Sequence, residues 1–193
     1  MIDINLESRL AARLKAERET RGWTLAELAA QSGVSKAMAS KIERNEASPT
    51  AALLGRLATA FGLTLAQLFA RVEEGAGLLN RRTDQAIWRD PETGFLRRAL
   101  SPQGPVPLDL VWGEMPPGAE IAYPVDAFLL IEDQQVVILE GKLTIVQGEA
   151  VYDMEEGDCL RFGPPASVLF RNPGRKLCRY VLATLRRNKT VGA

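Results

Sequence analysis

The segment "TLAELAAQSGVSKAMASKIERNEASPT", residues 24–50, decides how the first third of this chain folds. Its apolar residues recur every three or four positions, which is the spacing of one face of an α-helix. Thr24 begins a capping-box pattern at the start of the first helix. Gly33 then interrupts the pattern, because glycine takes the left-handed conformation of a tight turn without steric cost. We therefore predict two short helices, over residues 24–31 and 35–44, joined by a turn.

The same segment carries apolar residues where two helices that cross at a steep angle need them. Val34, Ala39 and Ile42 are expected to bury the second helix against the first. Helical periodicity continues on both sides, so residues 5–72 are expected to form about five short helices. Ser48 in "SPT" is expected to cap the fourth of them.

Together with "LLGRLATAFGLTLAQLF" downstream, this segment resembles the phage-repressor-like (XRE) helix-turn-helix family over residues 6–70. The resemblance implies that the second helix enters the DNA major groove and meets base edges. One such motif covers one half-site, so the resemblance also implies a homodimer on a palindromic double-stranded DNA operator. Arg18 and Glu43 are implied to pair across two helices rather than to face DNA. Asn45 stands where the family usually has glycine, and asparagine tolerates the left-handed conformation.

Eight residues are the candidate DNA contacts that this resemblance implies. The ammonium groups of Lys36 and Lys41 can donate to guanine O6 and N7, and the methyl group of Ala37 suits a thymine methyl. Thr24 offers its hydroxyl to a phosphate. The full set is Thr24, Ser35, Lys36, Ala37, Ser40, Lys41, Arg44 and Asn45.

The overall composition limits the possible functions. The 193 residues contain 24 Lys plus Arg and 24 Asp plus Glu, so net charge gives no signal for nucleic acid beyond a local patch. Histidine is absent, which removes the commonest general base and metal ligand. With no signal-peptide pattern and no apolar run of membrane-spanning length, we expect a cytoplasmic protein without membrane contact. Cys159 and Cys178 are expected to be buried free thiols.

From Gln85 onward the sequence changes to short apolar runs, such as "QQVVILEG" and "KLTIVQG", separated by Gly, Pro and Asn. This spacing is typical of an antiparallel sandwich or a small barrel. Residues 73–84 mix glycine and charge without periodicity, which indicates a linker or, alternatively, one or two further turns of the fifth helix. The expected fold class is a two-domain α+β chain, with the helical domain over 5–72 and an all-β domain over 85–188.

The stretches "PPGAEIAYPVD" and "EEGDCLRFGPPASVLFRNPG" resemble the two glycine-framed motifs of the cupin family, a small double-stranded β-barrel. In that family the motifs carry histidine and glutamate metal ligands. Counting along them places Pro124, Asp126, Gln134 and Val168 at the ligand positions. One carboxylate and one amide do not supply the converging ligands that a transition metal needs. We therefore expect no metal and no other cofactor.

The interior of such a barrel is either filled by its own side chains or holds one small ligand. Asp126 and Gln134 at the mouth can hydrogen-bond a small polar molecule. In the alternative, Pro124 and Val168 fill the space. The attached DNA-reading domain favours a small-molecule effector, and the candidate pocket residues are Asp126, Gln134 and Val168.

The leading hypothesis is a sequence-specific DNA-binding transcriptional regulator, not an enzyme, whose cupin domain dimerises and senses a small molecule. The first alternative is a metal-free cupin enzyme carrying a DNA-binding domain. Its proton-transfer candidates are Tyr123, Asp126 and Glu132, which no pattern pairs. The second alternative is an antitoxin-like repressor whose β domain binds a protein. A closed barrel argues against that binding mode because it leaves few free strand edges.

Overall fold

The computed structural model describes residues 4–69, 77–102 and 107–187. Within these ranges the chain forms five α-helices, then ten β-strands and one 3-10 helix. The helices are α1 (Ile4–Thr20), α2 (Leu25–Ser32), α3 (Lys36–Glu43), α4 (Ala51–Ala60) and α5 (Leu65–Phe69). The strands are β1 (Ile87–Arg89), β2 (Leu96–Ala99), β3 (Leu108–Met115), β4 (Glu120–Tyr123), β5 (Ile131–Glu140), β6 (Lys142–Gln147), β7 (Ala150–Glu155), β8 (Cys159–Arg161), β9 (Val168–Arg171) and β10 (Cys178–Arg186), with the 3-10 helix at Val125–Phe128.

Capping residues begin α2 and α3 at the predicted positions. The Thr24 hydroxyl accepts a hydrogen bond from the backbone N–H of Glu27 at 3.2 Å. The Ser35 hydroxyl accepts the N–H of Met38 at 3.2 Å. Gly33 has a φ of 65°, the left-handed conformation that the intervening turn requires. The predicted helix-turn-helix is therefore confirmed.

The prediction that Ser48 caps α4 is wrong. Thr50 is the N-cap, and its hydroxyl accepts the N–H of Leu53 at 3.3 Å. The Ser48 hydroxyl instead donates to the carboxylate of Glu7 on α1 at 2.7 Å. Both residues carry a suitable hydroxyl, but the one next to the first helical residue is placed to reach the N3 amide.

The helix-turn-helix is held by an apolar core. Leu28, Val34, Ala39 and Ile42 are each at most 2% exposed, so α2 and α3 bury the faces that the sequence predicted. Burying an aliphatic side chain of this size stabilises the fold by roughly 1.5–3 kcal/mol. Helix α3 is therefore packed firmly into the domain.

A salt bridge joins α1 to α3. The Arg18 guanidinium contacts both carboxylate oxygens of Glu43, at 2.7 and 2.8 Å, and also donates to the carbonyl of Trp23 at 2.8 Å. The side chains of Arg18 and Glu43 are only 13% and 7% exposed. A bidentate pair of this kind fixes the angle between two helices, and it leaves neither group free to contact DNA.

The β domain consists of two antiparallel sheets. One has the strand order β1-β2-β3-β10-β5-β8 and the other β4-β9-β6-β7. Between them lie fully buried side chains, among them Met115, Val136, Ile138, Leu143 and Ile145. Among the described strands, β1, β8, β4 and β7 are sheet edges, so the β domain is a sandwich rather than a barrel closed by hydrogen bonds. The expectation of few free edges is therefore wrong.

The two cysteines differ in their surroundings. Cys178 is fully buried on the central strand β10, as predicted, and burial raises the pKa of its thiol to about 11. The prediction that Cys159 is buried is wrong, because its thiol is exposed on the edge strand β8. Both are free thiols.

The helical domain is docked onto the β domain through α4. A Cβ atom at Gly55 would lie 2.9 Å from the ring of Tyr123, so the absence of a side chain permits this close approach. The backbone N–H of Ala51, at the start of α4, donates to the carboxylate of Asp90 at 3.1 Å. Asp90 is 3% exposed, so this carboxylate satisfies a buried helix terminus across the junction.

The predicted linker, residues 73–84, lies partly outside the described residues, as do the domain boundaries predicted at 72 and 188. Where the linker re-enters the described chain, the amide of Asn80 donates to the carbonyls of residues 99–101 at 3.0–3.3 Å. The last part of the linker is thus fixed to the β domain. No helix in the described ranges has the length and apolar character needed to cross a membrane.

Candidate nucleic-acid interface and interior cavity

The outer face of α3 and the residues around it form a continuous polar surface. Seven of the eight candidate DNA contacts are exposed, and the eighth, Ser40, is partly exposed. Ala39 and Ile42, on the opposite face of the same helix, are buried. The helix therefore presents its predicted DNA-contact residues outward without loss of core packing.

The two lysines of this surface are free to interact with a partner. Lys36 lies in the first turn of α3 and Lys41 one turn further on. Neither side chain makes a hydrogen bond or an ion pair with any residue in the described ranges. An exposed ammonium group without a hydrogen-bond partner need not break an internal contact to reach a guanine edge or a phosphate, so both lysines suit DNA contact.

Arg44, at the end of α3, is already engaged. Its guanidinium donates to both carboxylate oxygens of Glu46, each at 2.7 Å, and contacts the hydroxyl of Ser40. This hydrogen bonding raises the pKa of Arg44 and lowers that of Glu46. Arg44 is thus engaged within the chain by Glu46, a pairing that the sequence alone did not predict.

Thr24 is engaged in a similar way. Its backbone N–H and its hydroxyl both donate to a carboxylate oxygen of Glu27, at 2.7 and 2.8 Å. These hydrogen bonds lower the pKa of Glu27, so a negative charge stands at the start of α2. Asn45 has a φ of 56°, as expected of a residue in the position where the resembled family has glycine.

A cavity of about 100 Å³ lies where the two domains meet. Its walls come from both sheets of the β domain and from α4 and α5. Much of the lining is apolar, including Phe95, Val111, Ile121, Phe170 and Leu182. Since one water needs on the order of 10–15 Å³, this space can hold several waters or one small organic molecule.

Arg97 is the charged residue among the described residues that line this cavity. It lies on β2, is 5% exposed, and has its guanidinium carbon 4.8 Å from the centre of the Phe69 ring. It makes no hydrogen bond and no ion pair with any part of the chain that the structure describes. Burial lowers the pKa of Arg97 to about 10, so the side chain remains charged at neutral pH.

Other polar groups of the cavity are also unsatisfied. The amide nitrogen of Gln134 donates to the hydroxyl of Thr184 at 2.9 Å, but the buried amide oxygen has no hydrogen-bond partner among the described residues. The hydroxyls of Tyr123 and Tyr180 likewise make no hydrogen bond within those ranges. Burial raises the pKa of both tyrosines, so both are neutral at physiological pH.

The three pocket residues predicted from sequence occupy different places. Gln134 lines the cavity, as the alternation of its strand indicated. Asp126 is exposed on the 3-10 helix and is not among the cavity-lining residues. Val168 is 1% exposed and packs in the core beside the cavity rather than in its wall.

The sequence analysis did not single out Arg97, Tyr180 or Thr184, because their strands lie far apart in the chain. One signal was present for Arg97. In "FLRRAL" strict alternation puts Arg97 on the same face as Phe95, which is buried. An arginine on the buried face of a strand indicates an interior function.

The cupin fold implies a metal centre, and the residues present do not fit one. The side chains of Pro124 and Val168 have no donor atoms and Asp126 is exposed, which leaves the amide oxygen of Gln134 as the single inward-facing oxygen of the four ligand positions. Within the described ranges, no three Cys, Asp or Glu residues are grouped closely enough to hold an ion.

The comparisons with known proteins agree with this two-part architecture. Residues 14–68 match the helix-turn-helix family HTH_3. The HTH-type transcriptional regulator SutR of Escherichia coli is 27% identical over 177 residues, which cover 91% of this chain and 94% of that protein. The crystal structure of an HTH_3 family transcriptional regulator from Vibrio cholerae has a TM-score of 0.75 at 23% identity, covering 96% of this chain and 99% of that one.

An enzyme of cupin fold also resembles this chain, more distantly. The hydroxypropylphosphonic acid epoxidase of S. wedmorenis has a TM-score of 0.45 at 15% identity, covering 93% of this chain and 98% of that one. A likeness at this level carries no argument about activity. The fold and the match over residues 14–68 define a class, that of the helix-turn-helix proteins. The N-terminal domain matches the helix-turn-helix family HTH_3, and the fold of the whole chain is that of the Vibrio cholerae structure, a helical domain followed by a β domain.

Proposed function

We propose that this protein is a sequence-specific DNA-binding transcriptional regulator in which α3 reads an operator and the cupin domain dimerises and senses a small molecule. The observation that carries the proposal is the outer face of α3. Lys36 and Lys41 are exposed and unpaired among the described residues, on a helix whose other face is locked into the core. Two proteins to which the chain is similar along most of its length are named as transcriptional regulators.

The roles of the remaining DNA-contact residues follow from their positions. Ser35, Ala37 and Ser40 share the outward face of α3 with the two lysines. Arg44 and Asn45 leave the end of that helix towards the phosphate backbone, and Thr24 begins α2. Contacts from helix ends fix the position of the protein on DNA, whereas those from the first turns of α3 read the sequence.

Operator selection from random duplexes tests this proposal. The full-length protein should enrich a palindrome whose half-sites are about 10 base pairs apart, because a dimer presents two recognition helices one helical turn apart. Lys41→Ala should weaken binding to the enriched site by about 1–3 kcal/mol and relax the preference at one position. Lys142→Ala, at the start of β6 in the β domain, is the control for the loss of one lysine charge. If Lys41→Ala weakens binding equally to all DNA sequences, Lys41 contacts only the phosphate backbone.

The proposed homodimer is supported by apolar side chains on an edge of the β domain. Val151 and Tyr152 on the edge strand β7 are 58% and 38% exposed. Sedimentation velocity on the full-length protein should give a dimer, and Val151→Lys should shift it towards monomer. A wild-type monomer, both free and bound to DNA, would contradict this part of the proposal.

The structure gives little support to an enzyme. Of the three proton-transfer candidates, Tyr123 lines the cavity, Asp126 is at the surface and Glu132 lines a separate cleft. The described residues of the cavity wall include no carboxylate or thiol that could serve as a general base. A regulator that binds DNA acts where the DNA is, so we place this protein in the cytoplasm.

A further inference from the structure

We infer that the cavity between the domains binds a small organic acid, with its carboxylate on Arg97, and that this ligand controls how the helical domain is docked. The inference rests on the proposed regulatory function and names the chemical class of the effector. Several polar side chains of this cavity have no hydrogen-bond partner among the described residues.

Arg97 is the group that specifies the charge of the ligand. A guanidinium has five N–H donors, and this one is 95% buried with no hydrogen-bond or ion-pair partner in the described chain. Buried charges are normally paired, because a charge away from water is costly. The nearby carboxylate of Asp109 is occupied by Arg186, at 2.9 Å. The contact with the Phe69 ring supplies attraction but no acceptor for the N–H groups.

A carboxylate is the anion that fits best. Its two oxygens can accept two parallel N–H bonds from one guanidinium. The rest of the cavity is mainly apolar, with Phe95, Phe170 and Leu182 in its wall, so the second negative charge of sulfate or phosphate would be buried without a cation to balance it. The wall therefore suits an acid with a small apolar body.

The fold makes room for this site at Gly113. Arg97 on β2 and Tyr180 on β10 both stand opposite Gly113 on β3, which lies between their strands. A Cβ atom at Gly113 would lie 2.3 Å from the Tyr180 ring, so the ring occupies the space above the glycine. The free amide oxygen of Gln134 lies further along, opposite Thr184, and accepts a hydrogen bond from any donor on the ligand.

The same cavity is covered by the DNA-binding domain. Gly55 on α4 and Leu65 on α5 are part of its wall, and Phe69 of α5 contacts the Arg97 guanidinium. Helix α4 also packs on α2 of the helix-turn-helix. A ligand on Arg97 thus touches the surface on which the helical domain rests, and its binding free energy depends on where that domain lies.

The inference is tested with two matched variants of the full-length protein. Arg97→Met removes the buried charge, and Arg98→Met makes the same charge change at a partly exposed neighbour outside the cavity wall. Without ligand, we expect Arg97→Met to raise Tm and Arg98→Met to leave it nearly unchanged, because an unpaired buried charge has been removed. A lower Tm for Arg97→Met would show that the guanidinium is purely structural and would overturn the inference.

The ligand class is tested by thermal shift with propionate, butyrate, pyruvate, lactate and benzoate at millimolar concentration. Each is compared with its amide, and sulfate and phosphate form a separate arm. At least one carboxylate should raise Tm of the wild type by about 5–10 °C at a hundredfold excess over its Kd, while its amide and Arg97→Met show no shift. No shift with any acid, an equal shift in Arg97→Met, or an equal shift with the inorganic anions would overturn the inference.

The coupling is tested by measuring DNA affinity with and without the acid that binds. We expect a change of at least about fivefold in Kd for the operator, and by linkage the operator should change Kd for the acid by the same factor. Unchanged DNA affinity at saturating acid would overturn the coupling. Specific DNA binding with no effect of any acid would leave the proposed regulator in place and remove this inference. Acid binding without specific DNA binding would leave the acid site in place and remove the proposed regulator.

Discussion

At the scale of single residues, the surface proposed to face DNA contains two carboxylates that work against that function, Glu46 and Glu27. Both carboxylate oxygens of Glu46 accept hydrogen bonds from the Arg44 guanidinium, and a carboxylate oxygen of Glu27 accepts one from the Thr24 hydroxyl. A phosphate contact contributes to both specific and non-specific binding, whereas base contacts add to the specific term only. If Arg44 contacts a phosphate, Glu46 therefore lowers the affinity for DNA of any sequence.

The account predicts a gain of affinity from Glu46→Gln. With the negative charge removed, Arg44 is free for a phosphate, and DNA of any sequence should bind about two- to fivefold more tightly, the size of one surface charge pair. The ratio of specific to random affinity should stay the same or fall. Glu149→Gln, on an exposed turn of the β domain, is the control for net charge. Fluorescence anisotropy on the operator and on random DNA measures both affinities for each variant. An unchanged affinity of Glu46→Gln would show that Arg44 does not approach the phosphate backbone.

At the scale of elements, the helices could be predicted from sequence because their signals are local. The caps Thr24 and Ser35 and the left-handed Gly33 each act within four residues of chain. Ser48 was predicted wrongly for the same reason, because two hydroxyls stand close together and only the structure shows that Glu7 engages one of them.

The cavity could not be predicted in the same way. Its polar groups come from β2, β4, β5 and β10, and strand pairing over long sequence distances brings them together. The cupin resemblance located one of them, Gln134, since that residue stands at a former ligand position. It pointed to Asp126 as well, but the 3-10 helix turns that residue out to solvent.

The salt bridge between α1 and α3 carries a prediction at this scale. Glu43→Gln should lower the free energy of unfolding by about 2 kcal/mol, because the largely buried Arg18 loses a charged partner. Arg18→Met with Glu43→Leu should recover much of that loss, since a buried ion pair often exchanges for apolar side chains at little cost. Urea denaturation measures both. A double variant less stable than Glu43→Gln would show that the ion pair stabilises the fold by more than apolar side chains can replace.

At the scale of the whole molecule, the two domains share a buried junction rather than acting as separate units. Trp88 and Phe69 pack there with ring centres 5.7 Å apart, and Asp90 satisfies the start of α4. The DNA-binding half therefore rests on the wall of the cavity that is its proposed control site. A movement of the helical domain therefore requires the side chains of the cavity wall to repack.

The junction can be tested at Gly55. Alanine is intrinsically better than glycine inside a helix by about 1 kcal/mol, so Gly55→Ala should stabilise an isolated α4. At the junction the new Cβ would lie 2.9 Å from the Tyr123 ring, and we expect a net loss of stability with the two domains melting separately in calorimetry. In a Tyr123→Leu background, where the ring is absent, the same change should stabilise. Equal stabilisation in both backgrounds would show that the domains are not held together at this point.

The central claim is that α3 reads a DNA sequence, and one measurement tests it most directly. Fluorescence anisotropy would compare full-length protein on duplexes from its own upstream region with scrambled duplexes of the same composition, at two salt concentrations. We predict a preference of at least about a thousandfold for one upstream duplex, and this preference should persist as salt weakens both complexes. Equal affinity for all duplexes, falling steeply with salt, would show phosphate contacts alone and would contradict the account.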